Sequence, residues 1–232
     1  MSKTDDILKS VAEWEQRLKS CHYVGEIYLS EQQLRSLAGE LIRKRRNVQI
    51  SREQYATALV VLAVNCAYHY YDDEGFWPHF HELLGTKNTY SVNEVLGQTI
   101  EKKLELLGLL RIKRKGPFRY VGAILEQSGV SRRYIPSMAR IIRELRHSRD
   151  WNDLLTMEYH EFQRVLEGIG CSRYLKSFLL DTEGWRFTVQ VCQLLQYYEQ
   201  GLLELERLRE VPGFQPGFWD EFIRCFYSGV TV

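Results

Sequence analysis

The residues best suited to chemistry in this sequence are cations concentrated in one stretch of the chain. Residues 102–149 hold thirteen lysine and arginine residues and three acidic ones, a balance of +10, whereas the whole chain carries +1. Residues 1–101 carry eleven basic and fourteen acidic residues, and residues 150–232 carry seven and thirteen. Because a local excess of positive charge attracts polyanions, the middle third is a candidate phosphate-binding surface.

A winged-helix module at residues 51–121 is the predicted frame for these cations. Three helical patterns, at 51–71, 76–84 and 91–107, precede a basic segment at 109–121 in which Lys115-Gly116 suits a hairpin turn. The order resembles that of winged-helix DNA-binding domains. On the third helix, the side chains that can face a groove are Asn93, Gln98, Thr99, Lys102 and Lys103. The alternative is a helical bundle with one solvated basic hairpin.

The predicted nucleic-acid-binding residues are the cations that this module and the turn after it would present to phosphates. They are Lys102, Lys103, Arg111, Lys113, Arg114, Lys115, Arg119, Arg132 and Arg133. The expected partner is nucleic acid, with DNA favoured over RNA and little sequence readout. Glu94, Glu101 and Glu105 oppose this prediction, because acids on the third helix repel phosphate on any face they share.

Two other segments resemble DNA-binding turns. Gly129-Val-Ser131 has the spacing of a helix-turn-helix turn, but Pro136 would lie beyond the first turn of a helix that starts at Ser131, where proline is disfavoured. A later start, with Pro136 in the first turn, removes the motif. Gly168 and Gly170 resemble a helix-hairpin-helix, for which a helix end between packed helices is the favoured alternative.

Six side chains between His69 and His81 are of metal-ligating type, and they are His69, Asp72, Asp73, Glu74, His79 and His81. His69 and Asp73 share a helix face at i, i+4, but His79 and His81 do not share one, so the segment lacks a regular ligand spacing. The sequence predicts no metal site and no cofactor. No glycine-rich phosphate loop, nucleophile elbow or His-Glu-x-x-His motif is present, so no catalytic residue is predicted and a non-enzymatic protein is expected.

Helical periodicity dominates the elements that must position these residues. Three capping boxes, opened by Ser30, Ser51 and Ser91, mark helix starts, and only 109–114 and 117–121 suggest strands. We therefore predict a mostly α-helical, multi-helix bundle with one small β-hairpin. The change from basic to acidic composition near Ser148–Asp150 predicts two regions, 1–149 and 150–232.

Composition indicates a cytoplasmic location. The five cysteines are odd in number and form no Cys-x-x-Cys pair, which is typical of free thiols in a reducing compartment. No apolar leader follows Met1, and the uncharged run 55–71 is short for a bilayer. No membrane partner is expected.

The segments Phe76-Trp77-Pro78, Arg119–Leu125 and Gly129–Pro136 together resemble helical N-terminal regions of large uncharacterised bacterial proteins, some from mobile-element or phage-defence loci. The resemblance implies that the chain is one part of a longer protein or assembly. The sequence thus favours a non-enzymatic nucleic-acid-binding module of a bacterial defence or mobile-element system. The alternative function is a helical adaptor whose basic surface docks on an acidic protein within a larger assembly.

Overall fold

Helices supply all the regular secondary structure in the part of the chain that the structure describes. The computed structural model describes residues 6–47, 49–72, 74–110, 116, 119–211 and 214–228. The α-helices in these ranges are α1 Asp6–Leu18, α2 Glu31–Arg46, α3 Arg52–Tyr70, α4 Trp77–Leu84, α5 Tyr90–Leu106, α6 Arg119–Ser128, α7 Ile135–Ser148, α8 Trp151–Thr156, α9 Tyr159–Gly168, α10 Arg173–Leu179, α11 Thr182–Glu199, α12 Leu205–Glu210 and α13 Phe218–Tyr227. Short 3-10 helices span Val24–Glu26 and Arg132–Tyr134. The predicted mostly helical class is confirmed.

The chain divides into two units, Met1–Ser131 and Arg132–Val232. The first contains α1–α6 and the second contains α7–α13. This division precedes the composition change near Ser148–Asp150, because α7 packs against α13 and so belongs to the second unit. The basic stretch at residues 102–149 is therefore shared between the two units.

Helix α3 forms the centre of the first unit. Every residue from Thr57 to His69 is buried, as expected for a helix that is apolar on all sides. Helices α1, α2, α4, α5 and α6 all pack against it. Its start is set by Ser51, whose hydroxyl accepts a hydrogen bond from the Gln54 backbone N–H at 3.1 Å.

Asn65 is the polar side chain at the centre of this core. Its Oδ1 accepts from the Leu29 backbone N–H at 2.8 Å, and its Nδ2 donates to the carbonyls of Ile27 at 2.8 Å and Val61 at 2.9 Å. Because buried polar groups require such partners, Asn65 fixes the turn that leads into α2 against α3.

The capping boxes predicted at Ser30 and Ser51 are confirmed, since each serine and its N3 glutamine bond reciprocally. The box predicted at Ser91 is wrong, because α5 begins one residue earlier, at Tyr90, after an extended Thr89. The Thr89 carbonyl accepts the first helical hydrogen bond, from Asn93 N–H at 2.9 Å.

The predicted β-hairpin is wrong in its second strand, because α6 begins at Arg119 and the described residues contain no strand. Aromatic and β-branched residues at 118–121 favour a strand locally. The apolar spacing of Val121, Ala123 and Ile124 instead buries one helical face, and α6 packs on α3 and α5. Burial of this face against α3 and α5 thus outweighs the local preference for a strand. The order of elements predicted for a winged helix is therefore followed only as far as α5.

The second unit is built around the pair α7 and α13. Met138, Ile141, Ile142 and Leu145 form the buried face of α7, spaced as in an amphipathic helix. Helix α13 contributes an aromatic ladder, in which Phe222 stacks with Phe218 at 5.5 Å and with Phe226 at 6.0 Å between ring centroids. Helices α8 and α10 pack on α11, and α12 packs on α13.

The structure decides between the two starts considered for the helix after Gly129. Residues Arg132–Tyr134 form a 3-10 turn, and Pro136 occupies the first turn of α7, where its missing N–H costs nothing. This later helix start removes the motif predicted at Gly129–Ser131.

Candidate nucleic-acid interface

The connection between α5 and α6, residues 107–118, contains the most cation-rich part of the sequence. Arg111, Lys113, Arg114 and Lys115 lie outside the described residues. No acidic residue occurs between Glu105 and Glu126. The connection therefore contains no acidic residue that could offset its positive charge.

The described ends of the connection are held by hydrogen bonds. Leu109 is buried, and its carbonyl accepts from Nε2 of the buried Gln127 at 2.9 Å. The same side chain accepts from the Val24 N–H through Oε1 at 3.1 Å. On the other side, exposed Gly116 has φ +84° and accepts from the Arg119 N–H at 3.1 Å. Leu109 thus anchors one end of the connection to the first unit, and Gly116 forms a local turn that leads into α6.

Lys103 is removed from the predicted interface by burial. Only 8% of its side chain is exposed, and its Nζ lies 3.6 Å from Glu53 Oε1 and 4.0 Å from Glu15 Oε1. Thr57 also donates to that Glu15 oxygen, at 3.0 Å. Lys103 therefore links α5 to α1 and α3 and does not face a groove.

The outer face of α5 retains little of a recognition surface. Asn93 bonds to His81 and donates to Asn88, and Thr99 donates to the Val95 carbonyl. Gln98 and Lys102 are exposed. Val95 and Leu106, at i−7 and i+4 from Lys102, lie on the same helix face and are 58% and 73% exposed. The exposed apolar side chains on this face make it poorly suited to contact phosphate groups.

Arg119, at the start of α6, forms a bidentate ion pair with Glu101 of α5. Its Nε donates to Glu101 Oε1 at 2.9 Å and its Nη2 to Glu101 Oε2 at 2.5 Å. The guanidinium also lies 5.2 Å from the ring centre of Tyr120. Glu101, which the sequence identified as repelling phosphate, instead neutralises Arg119 and ties α5 to α6.

In the second unit, Arg132 and Arg133 are exposed on the 3-10 turn that precedes α7.

The arginines of α7 make contacts within the second unit. Arg140 pairs with Glu144 at 3.0 Å and donates to the Gly170 carbonyl at 2.5 Å, just beyond the end of α9. This carbonyl lies in the segment that resembles a helix-hairpin-helix, so Arg140 joins that segment to α7.

The three remaining arginines of the basic stretch also have internal partners. Arg143 donates to carbonyls at the C-terminus of α13, those of Cys225, Phe226 and Ser228, where a cation complements the helix dipole. Arg146 lies 3.9 Å from Glu199 and 5.2 Å from the Trp151 ring centre. Arg149 pairs with Glu161 at 2.8 Å. Among the described cations of this stretch, Arg146 and Arg149 therefore lie beside acids that are distant in the sequence.

The histidine-rich segment between α3 and α4 separates into two sets of residues. His69 lies in the core with Nε2 2.7 Å from the Leu29 carbonyl, and His81 bridges Thr86 and Asn93. Asp72, Glu74 and His79 instead bring ligand atoms within 4.8 Å of one another. Their grouping depends on the turn that joins α3 to α4, so the spacing in sequence gave no sign of it.

The five cysteines are free, as their odd number and the lack of a Cys-x-x-Cys pair predicted, and Cys66 and Cys192 are buried. Burial raises the pKa of both thiols, that of Cys192 to about 12. Among the described helices, none combines the length and the apolar character needed to cross a membrane.

Comparison with known proteins gave no match to any family model, any curated protein or any solved structure.

Proposed function

We propose that the chain binds nucleic acid through the α5–α6 connection, residues 107–118. The observation that carries the proposal is a contrast between cations. Most described cations of the basic stretch are held by acids or carbonyls. Arg111, Lys113, Arg114 and Lys115 instead occur within five residues without an acid. Their segment is tied to Gln127 through Leu109 at one end and leads to Arg119, which pairs with Glu101, at the other. A concentrated group of cations on a fixed base suits phosphate contact.

The proposed interface is narrower than the sequence alone indicated. Lys103 of α5 and Arg119 of α6 bind acids of the same unit. Of the two lysines predicted on α5, exposed Lys102 is therefore the one that can contact a phosphate. Binding then proceeds by neutralisation of phosphates and release of counterions, with no base readout required. DNA is the expected nucleic acid.

The test is a salt titration of binding to a random-sequence DNA duplex. The parent protein should show a steep fall of log affinity with log salt, and the triple variant K113A/R114A/K115A should lose up to about three units of slope, one for each phosphate no longer neutralised. The matched control is K9A/K19A/K87A, which removes the same charge from exposed positions. If both triple variants bind as the parent does, the proposal fails.

A second candidate function is the docking of an acidic protein segment, and the outer face of α5 favours it. Val95 and Leu106 expose apolar surface on either side of Lys102, and the cation-rich connection follows directly. An acidic partner with apolar residues would complement both features. This function would suit one part of a larger assembly, as expected from the predicted resemblance of segments 76–78, 119–125 and 129–136 to N-terminal regions of large bacterial proteins.

A double substitution on α5 can distinguish the two candidate functions. The variant V95S/L106S should leave the DNA salt slope unchanged, because it removes no charge, but it should weaken an apolar contact with a protein. A synthetic acidic amphipathic helix serves as the probe, read out by fluorescence anisotropy. Loss of peptide binding in V95S/L106S, with no DNA binding by the parent, would favour the adaptor function over the first proposal.

A further inference from the structure

We propose that the corner between α2 and α3, residues 43–52, is a second phosphate-binding surface for the nucleic acid that the α5–α6 connection binds. The assignment rests on the proposed function and extends its interface beyond the basic stretch at 102–149. Five of the eleven basic residues at positions 1–101 lie in this corner, and no acid occurs between Glu40 and Glu53. The corner is thus the second concentration of cations in the chain.

The outer cations of the corner are accessible to a ligand. Arg43, Arg46 and Arg52 are exposed, and no described acid forms an ion pair with any of them. They differ in this from Arg140 and Arg149 of the basic stretch, which pair with acids of the second unit. Because their charge is not neutralised by neighbouring side chains, these three arginines attract a polyanion.

The helix dipole accounts for only part of this charge. The last turn of α2 carries four cations, whereas the partial charge at a helix C-terminus is about half an elementary charge. Arg52 occupies the first position of α3, where the dipole is unfavourable to a cation. A ligand with several negative charges accounts for the cations at both helix ends.

Contacts within the first unit hold the inner part of the corner in place. The Arg45 guanidinium lies 4.2 Å from the ring centre of Tyr55 on α3, and it donates to the Tyr55 hydroxyl. Lys44 is 4% exposed, and none of the described acids pairs with it. Because a buried charge is costly without a partner, an anion bound at the corner would stabilise Lys44.

The corner lies at the same end of α3 as the α5–α6 connection. Lys103, in the last turn of α5, contacts Glu53 in the first turn of α3, with 3.6 Å between Nζ and Oε1. The connection begins at Leu107, one turn after Lys103, and Arg52 directly precedes Glu53. Glu53, the acid next to Arg52 in sequence, is therefore already paired.

One nucleic-acid molecule can reach both surfaces. Helices α2 and α5 both pack on α3, and packed helix axes lie about 8–10 Å apart. The ends of α2 and α5 are therefore within about 20 Å of one another, which is about six base-pair steps at about 3.4 Å each. The regular spacing of phosphates along a strand suits two sets of cations separated in this way.

The experiment compares the salt dependence of binding to a random-sequence DNA duplex for the parent and three variants of the full chain. The variants are R43A/R46A/R52A, K113A/R114A/K115A and the combination of all six changes. Each triple variant should lose up to about three units of slope, and the combined variant should lose up to about six. The three corner arginines are exposed, so their removal should leave the unfolding temperature nearly unchanged.

The control is K9A/K19A/K87A, which removes the same charge from exposed positions of the first unit and should keep the parental slope. A parental slope in R43A/R46A/R52A, with a flatter one in K113A/R114A/K115A, would overturn the second surface and leave the connection as the binding site. The reverse result would support the corner and reject the connection. If the parent does not bind DNA, or if the control loses as much slope as the corner variant, both assignments fail.

Discussion

Tyr120 of α6 lies directly over Gly97 of α5, so closely that a β-carbon at position 97 would be 2.3 Å from Tyr120 Cγ. Glycine within a helix normally costs about 1 kcal/mol relative to alanine. Here the missing side chain provides the space in which α6 rests on α5. This contact lies beside the Arg119–Glu101 ion pair, and the two together join the first turn of α6 to α5.

Substitution of Gly97 by Ala should therefore destabilise the protein, against the trend for helical glycines. Displacement of the Tyr120 ring should cost about 1–3 kcal/mol, the range for overpacked contacts. Chemical denaturation measures the change. Gly39 of α2, whose β-carbon would meet nothing within 4 Å, is the matched control, and G39A should stabilise by about 0.5–1 kcal/mol. If the steric account is correct, adding Y120A to G97A should cost less than the two single changes together.

Lys103 and Lys102 should differ sharply when their charge is reversed. K103E would place a carboxylate beside Glu15 and Glu53 in a buried position, and we expect a loss of about 3 kcal/mol or more, as for an uncompensated buried charge. K102E lies on the exposed face and should change stability by less than about 0.5 kcal/mol. Thermal unfolding of the two variants compares them, and equal losses would contradict the buried position of Lys103.

Removal of the Asn65 amide should be among the costliest single changes in the first unit. N65L leaves the Leu29 N–H and the Ile27 carbonyl without their partner inside the core. Two unsatisfied buried groups predict a loss of about 2–5 kcal/mol. N152A, at an exposed position of α8, is the comparison and should cost little. A small loss for N65L, measured by urea denaturation, would mean that these backbone groups find other partners.

Thiol labelling should divide the cysteines by position. The thiolate is the reactive form, and burial raises the pKa of Cys66 and Cys192, so both should stay unlabelled at neutral pH until the protein unfolds. Burial also raises the pKa of Cys21, with a smaller contribution from Glu26. Cys21 should then be half ionised at a higher pH than an ordinary thiol, whose pKa is about 8.5. Mass spectrometry of labelled peptides identifies the sites, and rapid native labelling of Cys66 would contradict its place in the core.

The sequence predicted the elements that local signals control and missed those that depend on distant partners. Ser30 and Ser51 mark helix starts because their caps involve residues three positions away. The strand predicted at 117–121 is wrong from Arg119 onward, where α6 begins and Tyr120 packs on Gly97 of another helix.

The candidate interface shows the same limit. The excess of cations at 102–149 is visible in the sequence, but the acids that neutralise Lys103, Arg146 and Arg149 lie at positions 15, 53, 199 and 161. No local pattern connects such pairs. The grouping of Asp72, Glu74 and His79 was hidden for a different reason, since it depends on the path of the turn between α3 and α4.

The pairing of α7 with α13 also has a consequence for synthesis on the ribosome. These helices are the first and last of the second unit, and the apolar face of α7 finds its partner about eighty residues later in the chain. The core of the first unit can close once α6 has emerged, because its elements all precede residue 132. The second unit must wait for Phe218–Tyr227, with the Met138–Leu145 face uncovered in the meantime. Translation that stops before α13 should therefore leave a folded first unit joined to an aggregation-prone remainder.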